Sequence, residues 1–169
     1  MREVTLPIEA RTVDADFESF FRAEYRALCQ ALVLLAGDAF EAEEIAQETM
    51  TRVLERWDRV GVMDSPAGYA YRTALNLQRK RIRRLAVRAK RRFATVPVAD
   101  IGAAANDRHD VHRALQALPD GQRAALILVD WLDMNTEEAG RVLGLKPASV
   151  RVRLHRARSA LRDALGETS

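Results

Sequence analysis

The residues with the clearest chemical use are the arginines near the end of the chain, between positions 147 and 165. An arginine fork can hydrogen-bond both acceptors on the major-groove edge of a guanine, which is worth about 1–3 kcal/mol of discrimination per good pair. Apolar residues at helical spacing predict a buried inner face made of Val150, Leu154, Ala157 and Leu161. The outward N-terminal half of such a helix can meet base edges. It carries Ser149, Arg151, Val152, His155 and Arg156.

The segment before this helix predicts how it is positioned. Asn135 and Glu138 have the spacing of a capping box that opens a helix, a tight turn follows at Gly144, and Pro147 starts the next helix. A helix, a glycine turn and a basic helix make a helix-turn-helix, which binds duplex DNA. Arg153 and Arg158 lie toward the sides and are candidate phosphate contacts. The alternative is an arginine-rich helix that is merely exposed to solvent. This alternative requires that the capping box, the turn, the apolar spacing and the charge all match a helix-turn-helix by accident.

A second basic region lies in the middle of the chain. Residues 65–99 carry 10 basic and no acidic side chains, whereas residues 1–64 carry 14 acidic and 7 basic ones. Ser65-Pro66 predicts the start of a helix that runs into this region after a loop over residues 58–65. Aromatic rings beside cationic side chains can bind single-stranded nucleic acid. The candidates are Val62, Met63, Asp64, Tyr69, Tyr71, Arg72, Asn76, Arg79, Lys80, Arg83 and Arg84. Alternatively the charges are solvated, and we expect one of the two tyrosines to pack inward.

An acidic helix is predicted over residues 40–57. Its inner stripe consists of Ile45, Ala46, Thr49, Met50, Val53, Leu54 and Trp57. Its outer face carries Glu41, Glu43, Glu44, Gln47, Glu48, Arg52 and Glu55. Because a negative surface repels DNA, this face either binds a protein partner or is simply exposed to solvent.

The whole chain is predicted to be all-α, with two small helical domains. Residues 1–15 form a lead-in, residues 16–92 the first domain, residues 93–110 a flexible linker and residues 111–169 the second domain. The single cysteine fits a reducing compartment, and no apolar run approaches the roughly 18 residues that span a bilayer. We therefore expect a cytoplasmic protein without membrane insertion.

The order of these parts resembles the extracytoplasmic-function (ECF) sigma factors, the short members of the sigma-70 family that have only regions 2 and 4. The resemblance covers roughly residues 17–165. It is carried by residues 41–49 with Trp57, by residues 66–76 and the arginines up to Arg84, and by Leu118-Pro119 with the final helix-turn-helix. Ala139-Gly140 stands where the family usually has Ile-Ala, and Lys146 where it has a capping Ser. Both departures predict a looser second domain.

The resemblance implies a role and a set of contacts. In the family the segment matching residues 41–57 docks on the coiled coil of the polymerase β′ subunit, which here implicates Glu41, Glu44, Ile45, Gln47, Glu48 and Arg52. The segments matching residues 60–66 and 69–84 capture a flipped base and the melted strand of the −10 element. The final helix reads the −35 element as duplex. Implied partners are core RNA polymerase through its β′ coiled coil and β flap, promoter DNA, and an anti-sigma factor.

The sequence predicts neither an enzyme nor a cofactor site. The histidines His109, His112 and His155 and Cys29 have no metal-ligand spacing, and the chain has no phosphate-binding glycine loop. The prediction is a sigma factor that directs core polymerase to promoters. The alternatives are a free-standing helix-turn-helix regulator that binds operator DNA without polymerase, and a nonspecific single-strand binder.

Overall fold

The computed structural model describes the backbone of residues 8–91 and 106–166, and the side chains of residues 16–87 and 110–166. Every regular element in those ranges is helical, which confirms the predicted fold class. The first half contains α1 (Ile8–Ala36), α2 (Ala39–Leu54), α3 (Trp57–Val60) and α4 (Pro66–Arg91). The second half contains α5 (Asn106–Ala117), α6 (Asp120–Leu126) continued by a π-helical turn (Ile127–Trp131), α7 (Thr136–Leu143) and α8 (Pro147–Leu165).

Several predicted boundaries differ from those observed. Helix α1 begins at Ile8 instead of Asp16, and α5 begins at Asn106 inside the predicted linker. The apolar pattern from which these boundaries were predicted marks a helix by its buried face and does not by itself fix the first residue of the helix. The remainder of the predicted lead-in, residues 1–7, and of the linker, residues 93–105, lies outside the described residues.

The end of α2 was also predicted wrongly. The helix ends at Leu54, and Trp57 opens the short helix α3, whose other three residues lie in the segment predicted to be a loop. The indole of Trp57 is buried between the rings of Phe17 and Phe20, with centroid separations of 5.4 and 5.0 Å. This aromatic cluster also contains Val60 and fixes the base of the loop that follows it.

The second half contains a helix that changes from α-helical to π-helical hydrogen bonding along its length. The predicted helix from Gln122 to Leu132 is α6 followed by the π-helical turn, in which the amide of Leu132 donates to the carbonyl of Ile127 at 3.1 Å. Such a five-residue hydrogen bond inserts one extra residue and redirects the side chains that follow. Leu126, Leu154 and Ala157 pack together where α6 meets α8.

A buried arginine that no sequence pattern marked, Arg123, joins α5 to α6. Arg123 Nη1 donates to the carbonyls of Leu115, Gln116 and Leu118 at 3.1–3.4 Å. Its Nη2 donates to Asp120 Oδ1 at 2.6 Å. The carbonyls at the end of a helix have no partner within that helix, so Arg123 caps α5 from outside.

We predict that Arg123→Leu destabilises the fold. The substitution leaves three carbonyls of the α5 terminus without their donor, and it should lower the free energy of unfolding by about 2–4 kcal/mol. Urea denaturation of the full chain, followed by circular dichroism, measures this change. The control is Arg113→Leu, because Arg113 is exposed and, in the part of the chain that the structure describes, pairs with Asp110 one turn away on the same helix. Equal unfolding free energies for the two variants would contradict the capping role of Arg123.

Candidate nucleic-acid interface

The helix-turn-helix has the predicted local geometry. The Asn135 side chain accepts from the amide of Glu138 at 2.9 Å, and the Glu138 carboxylate accepts from the amide of Asn135 at 2.9 Å. This reciprocal pair confirms the capping box that opens α7. Gly144 ends α7 at φ +69°, in the left-handed region that favours glycine, and Pro147 opens α8.

The two departures from the family pattern have different consequences. A Cβ at Gly140 would lie 2.7 Å from the carbonyl oxygen of Leu145, so glycine permits a close approach of the turn to α7. This close contact is the opposite of the predicted loosening. Lys146 precedes α8 and its side chain makes no capping hydrogen bond, as expected where a Ser cap is missing.

The predicted −35 residues fall mainly on the exposed side of α8. Val150, Leu154 and Ala157 are buried, which turns the opposite face toward solvent. Six of the seven candidates are exposed: Ser149, Arg151, Val152, His155, Arg156 and Arg158. The seventh, Arg153, is half-buried, because its guanidinium packs over Gly121 at the start of α6, where a Cβ would lie 2.4 Å from Nη1.

Two of these arginines have protein partners. Arg158 forms a two-bond ion pair with Asp130 of the π-helical turn, with Nε and Nη2 at 2.9 and 2.5 Å from the two carboxylate oxygens. Hydrogen bonding to Asp130 raises the pKa of the Arg158 guanidinium. Arg151 Nη1 lies 3.4 Å from Thr136 Oγ1 and 4.0 Å from Glu137 Oε1. Within the described residues, Arg156 has no such ion pair.

The predicted −10 residues surround the loop and one side of α4. Val62 is 85% exposed, and Met63 and Asp64 are exposed beside it. The loop ends at Ser65, whose hydroxyl accepts from the amide of Gly68 at 3.0 Å and caps α4. Five of the candidates on α4 are exposed: Arg72, Asn76, Lys80, Arg83 and Arg84. Tyr69 and Arg79 are half-buried.

Tyr71 is a correction to the predicted set. Its side chain belongs to the apolar core and is only 5% exposed, so it cannot stack on a base. Burial raises the pKa of the Tyr71 phenol, and the nearby Glu24 carboxylate raises it further. Tyr69 packs partly against the Trp57 cluster and keeps an accessible edge. Position 71 faces the core because α4 lies across α2, a contact that the local sequence does not specify.

The acidic face of α2 is partly as predicted. Glu44 and Gln47 are exposed, Glu41 is half-buried, and the half-buried Glu48 pairs with Arg52 at 2.7 Å. Ile45 is completely buried, so it supports this surface from beneath and cannot contact a docked protein. Glu44 also accepts from Arg81 Nη1 of α4 at 2.7 Å.

Two exposed apolar residues of α2 were missed or misplaced by sequence reasoning. Phe40 is 73% exposed, and Leu54, which was assigned to the inner stripe, is 46% exposed. Leu54 leaves the core because the helix ends there and the chain turns toward Trp57. An exposed apolar side chain at each end of an acidic face is a signal of protein contact that only the structure provides.

Comparison with known proteins places both halves in one family. Residues 20–88 match the family model for sigma-70 region 2, and residues 108–161 match the model for sigma-70 region 4. The chain is 28% identical over 152 residues to the RNA polymerase sigma-E factor of Streptomyces coelicolor, covering 89% of this chain and 86% of that protein. It is 30% identical over 133 residues to the ECF RNA polymerase sigma factor EcfG of Rhodopseudomonas palustris, covering 76% and 74%.

A solved structure has the same fold. The sigma factor RpoE from Bartonella quintana, crystallised with the anti-sigma factor NepR, superposes with a TM-score of 0.82 at 21% identity, covering 89% of this chain and 97% of that one. The present chain belongs to the ECF sigma factors of the sigma-70 family. It binds core RNA polymerase and directs promoter-specific initiation of transcription. Within the described ranges, no helix combines the length and apolar character needed to cross a membrane.

We predict that two neighbouring arginines of α8 differ in function. Arg156→Ala should cost about 1–3 kcal/mol at a particular base pair and relax the preference there, because its guanidinium is free to bind a base edge. Arg158→Ala should leave base preference unchanged, because Asp130 holds that guanidinium. The measurement is binding of polymerase holoenzyme to a panel of −35 sites that each carry one changed base pair. A uniform loss of affinity across the panel for Arg156→Ala would show a phosphate contact instead.

Proposed function

We propose that this sigma factor distributes its promoter and polymerase contacts over three separate faces. The exposed face of α2 docks on the β′ coiled coil of core polymerase. The loop at residues 62–64 and the exposed side of α4 hold the melted −10 strand. The outer face of α8 reads the −35 duplex. The observation that supports this assignment best is the separation of charge: the acidic face of α2 and the basic faces of α4 and α8 are exposed on different helices.

The α2 surface has the composition of a protein-docking site. Phe40 and Leu54 are 14 positions apart on one helix, which is about 21 Å at 1.5 Å per residue. Glu44 and Gln47 lie between them and are exposed. Apolar anchors flanking polar groups give a partner both buried area and orientation. The acidic side chains keep this face off DNA and attract a basic or mixed partner surface.

The −10 face is suited to unpaired DNA. The exposed side chains of Val62 and Met63 stand on a loop whose base is held by the buried Trp57 and Val60. A rigid base lets the loop receive an extruded base without first being ordered. The cations of α4 follow the strand's phosphates, and stacking on an aromatic edge such as Tyr69 is worth about 1–3 kcal/mol per base.

A groove on the second half is a candidate site for the β flap. It lies between α6 and the C-terminal half of α8, with an apolar floor of Leu126, Leu161 and Leu165. The ion pair of Asp130 with Arg158 also lines the groove, and so does His155, so the groove adjoins the DNA face of α8. An apolar segment of polymerase seated there would hold α8 over the −35 element.

The remaining assignments follow from the same role. We propose a cytoplasmic protein that performs no catalysis itself, since chemistry on nucleotides belongs to the polymerase. The Bartonella relative is held by an anti-sigma factor, and we propose a partner of this class for the present chain as well. A free-standing regulator remains the competing hypothesis, and it requires the second half to bind duplex DNA tightly by itself.

The proposed function predicts promoter-specific transcripts only in the presence of core polymerase. Purified chain and core enzyme should together initiate from a small set of sites on genomic DNA, whereas core enzyme alone should not. Sequencing the 5′ ends of the transcripts identifies these sites and their shared −35 and −10 elements. Tight, specific operator binding by the chain alone, without stimulation of the core enzyme, would instead identify a free-standing regulator.

The docking face predicts a loss of polymerase binding on charge reversal. Glu44→Arg should raise the Kd for core polymerase at least tenfold, which is about 1.4 kcal/mol. The matched control is Glu18→Arg, which makes the same charge change at an exposed glutamate paired with Arg22 on α1. Fluorescence anisotropy with labelled chain measures both Kd values, and circular dichroism verifies folding. If the two variants bind alike, the partner does not dock on α2.

A further inference from the structure

One exposed residue at the centre of the outer face of α8 is apolar. Val152 lies two positions after Val150 and two positions before Leu154, and both of these neighbours are buried. At about 100° per residue, Val152 points about 160° away from each of them, so its side chain faces almost directly outward. Among residues 147–156, all of which the structure describes, Val152 is the one large apolar side chain that is exposed, at 50%.

Neither helix formation nor solubility favours a valine at this position. A β-branched side chain loses rotamer freedom in a helix, so valine has a lower helix propensity than alanine or arginine. The surrounding exposed residues are Ser149, Arg151, His155 and Arg156, which are polar, as an exposed helix face usually is. Contact with DNA would remove the apolar surface of Val152 from water, which is favourable.

The structure holds Val152 in a fixed position. Before it, Arg151 Nη1 lies 3.4 Å from Thr136 Oγ1 of α7, and after it Arg158 Nε donates to Asp130 at 2.9 Å. These contacts attach α8 to the preceding segment on both sides of Val152. The χ1 angle of a helical valine is itself nearly fixed. Because a gap of about 0.5–1 Å already weakens van der Waals attraction substantially, a side chain held in this way can distinguish a close contact from a loose one.

The chemistry of valine restricts what it can recognise in the major groove. Valine has no hydrogen-bond donor or acceptor, so it can bind neither a phosphate nor the polar edge of a base. The C5-methyl group of thymine is the one apolar group that the standard bases present in this groove. Against any other base, Val152 would displace water from a donor or acceptor without replacing its hydrogen bond. A valine at this position therefore favours thymine and disfavours the other three bases.

The distance between Val152 and Arg156 predicts where this thymine lies. The two residues are one turn apart on the same outer face, which is about 6 Å along the helix axis. Successive base pairs of duplex DNA are about 3.4 Å apart. With α8 lying along the groove, the thymine is thus about two base pairs from the pair that Arg156 reads.

We infer that Val152 is a specificity-determining residue that reads the C5-methyl group of one thymine in the −35 element. This inference rests on the proposed reading of the −35 duplex by the outer face of α8, and it adds the chemical group that one named residue recognises. The −35 element is then read by two kinds of contact on neighbouring turns, an apolar contact through Val152 and hydrogen bonds through Arg156.

Replacing thymine by deoxyuridine tests the inference, because it removes the methyl group and leaves every hydrogen-bonding group of the base in place. Each thymine on either strand of the −35 element of a mapped promoter is replaced in turn. Fluorescence anisotropy with labelled promoter DNA gives the Kd of polymerase holoenzyme for each duplex. At one position the substitution should raise the Kd of the wild type about fourfold, as expected for the loss of one buried methyl group.

The same scan with Val152→Ala assigns the contact to this residue. Alanine is too short to reach the methyl group, so this variant should bind the deoxyuridine and thymine duplexes equally at that position. The matched control is Val111→Ala, which shortens another exposed valine, on α5 and outside the proposed DNA faces. It should keep the fourfold difference of the wild type, and circular dichroism verifies that both variants are folded.

A second comparison tests the methyl group without thymine. With cytosine at the same position, methylation of its C5 atom should lower the Kd of the wild type about fourfold, again the effect of one buried methyl group. Methylation should leave the Kd of Val152→Ala unchanged. If it lowers both Kd values alike, another residue contacts the methyl group and the inference is wrong.

Three further results would decide against one of the two proposals. A −35 element without thymine on either strand, or no position that responds to deoxyuridine, would overturn the role of Val152. Equal sensitivity of the wild type and Val152→Ala to deoxyuridine would overturn it as well. If wild-type holoenzyme shows no base preference in the −35 element, the proposed reading of the duplex by α8 is itself wrong.

Discussion

Each charged face of this chain exists because the opposite face of the same helix is buried. In α2 the packing of Ile45, Met50 and Val53 into the core turns Glu44 and Gln47 outward. In α8 the burial of Val150, Leu154 and Ala157 does the same for the arginines. Apolar burial therefore determines where the charges lie, although it makes no contact with polymerase or DNA. A change that rotated either helix by one residue would also turn its charged face in a different direction.

The second half depends on a local irregularity in a helix. The π-helical turn at Ile127–Trp131 brings Asp130 to Arg158 and lets the chain turn toward the capping box at Asn135. A regular helix through the same residues would present a different side chain to α8. Arg158 of the recognition helix therefore holds the domain together, whereas Arg156 has no ion pair within the described residues. Arg123 performs the corresponding task between α5 and α6 with buried hydrogen bonds.

Much of the fold and of the site could be predicted from the sequence, because its signals are local. The capping box at Asn135, the cap at Ser65 and the apolar spacing in α8 depend on residues within a few positions of one another. The errors arise where the burial of a residue depends on packing against helices that are distant in the sequence. Tyr71 is buried because α4 crosses α2, and Leu54 is exposed because Trp57 is drawn into a cluster with Phe17. The buried hydrogen bonds of Arg123 likewise have no signature in its own segment.

The glycine at position 140 limits how this protein can be re-engineered. Recognition helices are attractive parts to exchange when synthetic gene circuits need initiation factors with different promoter preferences. The backbone of Leu145 lies against Gly140, so a transplanted recognition helix needs a preceding turn that tolerates this close contact. Otherwise the helix that precedes it in the donor protein must be transplanted as well. The exchangeable module is therefore the pair α7–α8 with its turn, and an isolated α8 would be set at the wrong angle to the groove.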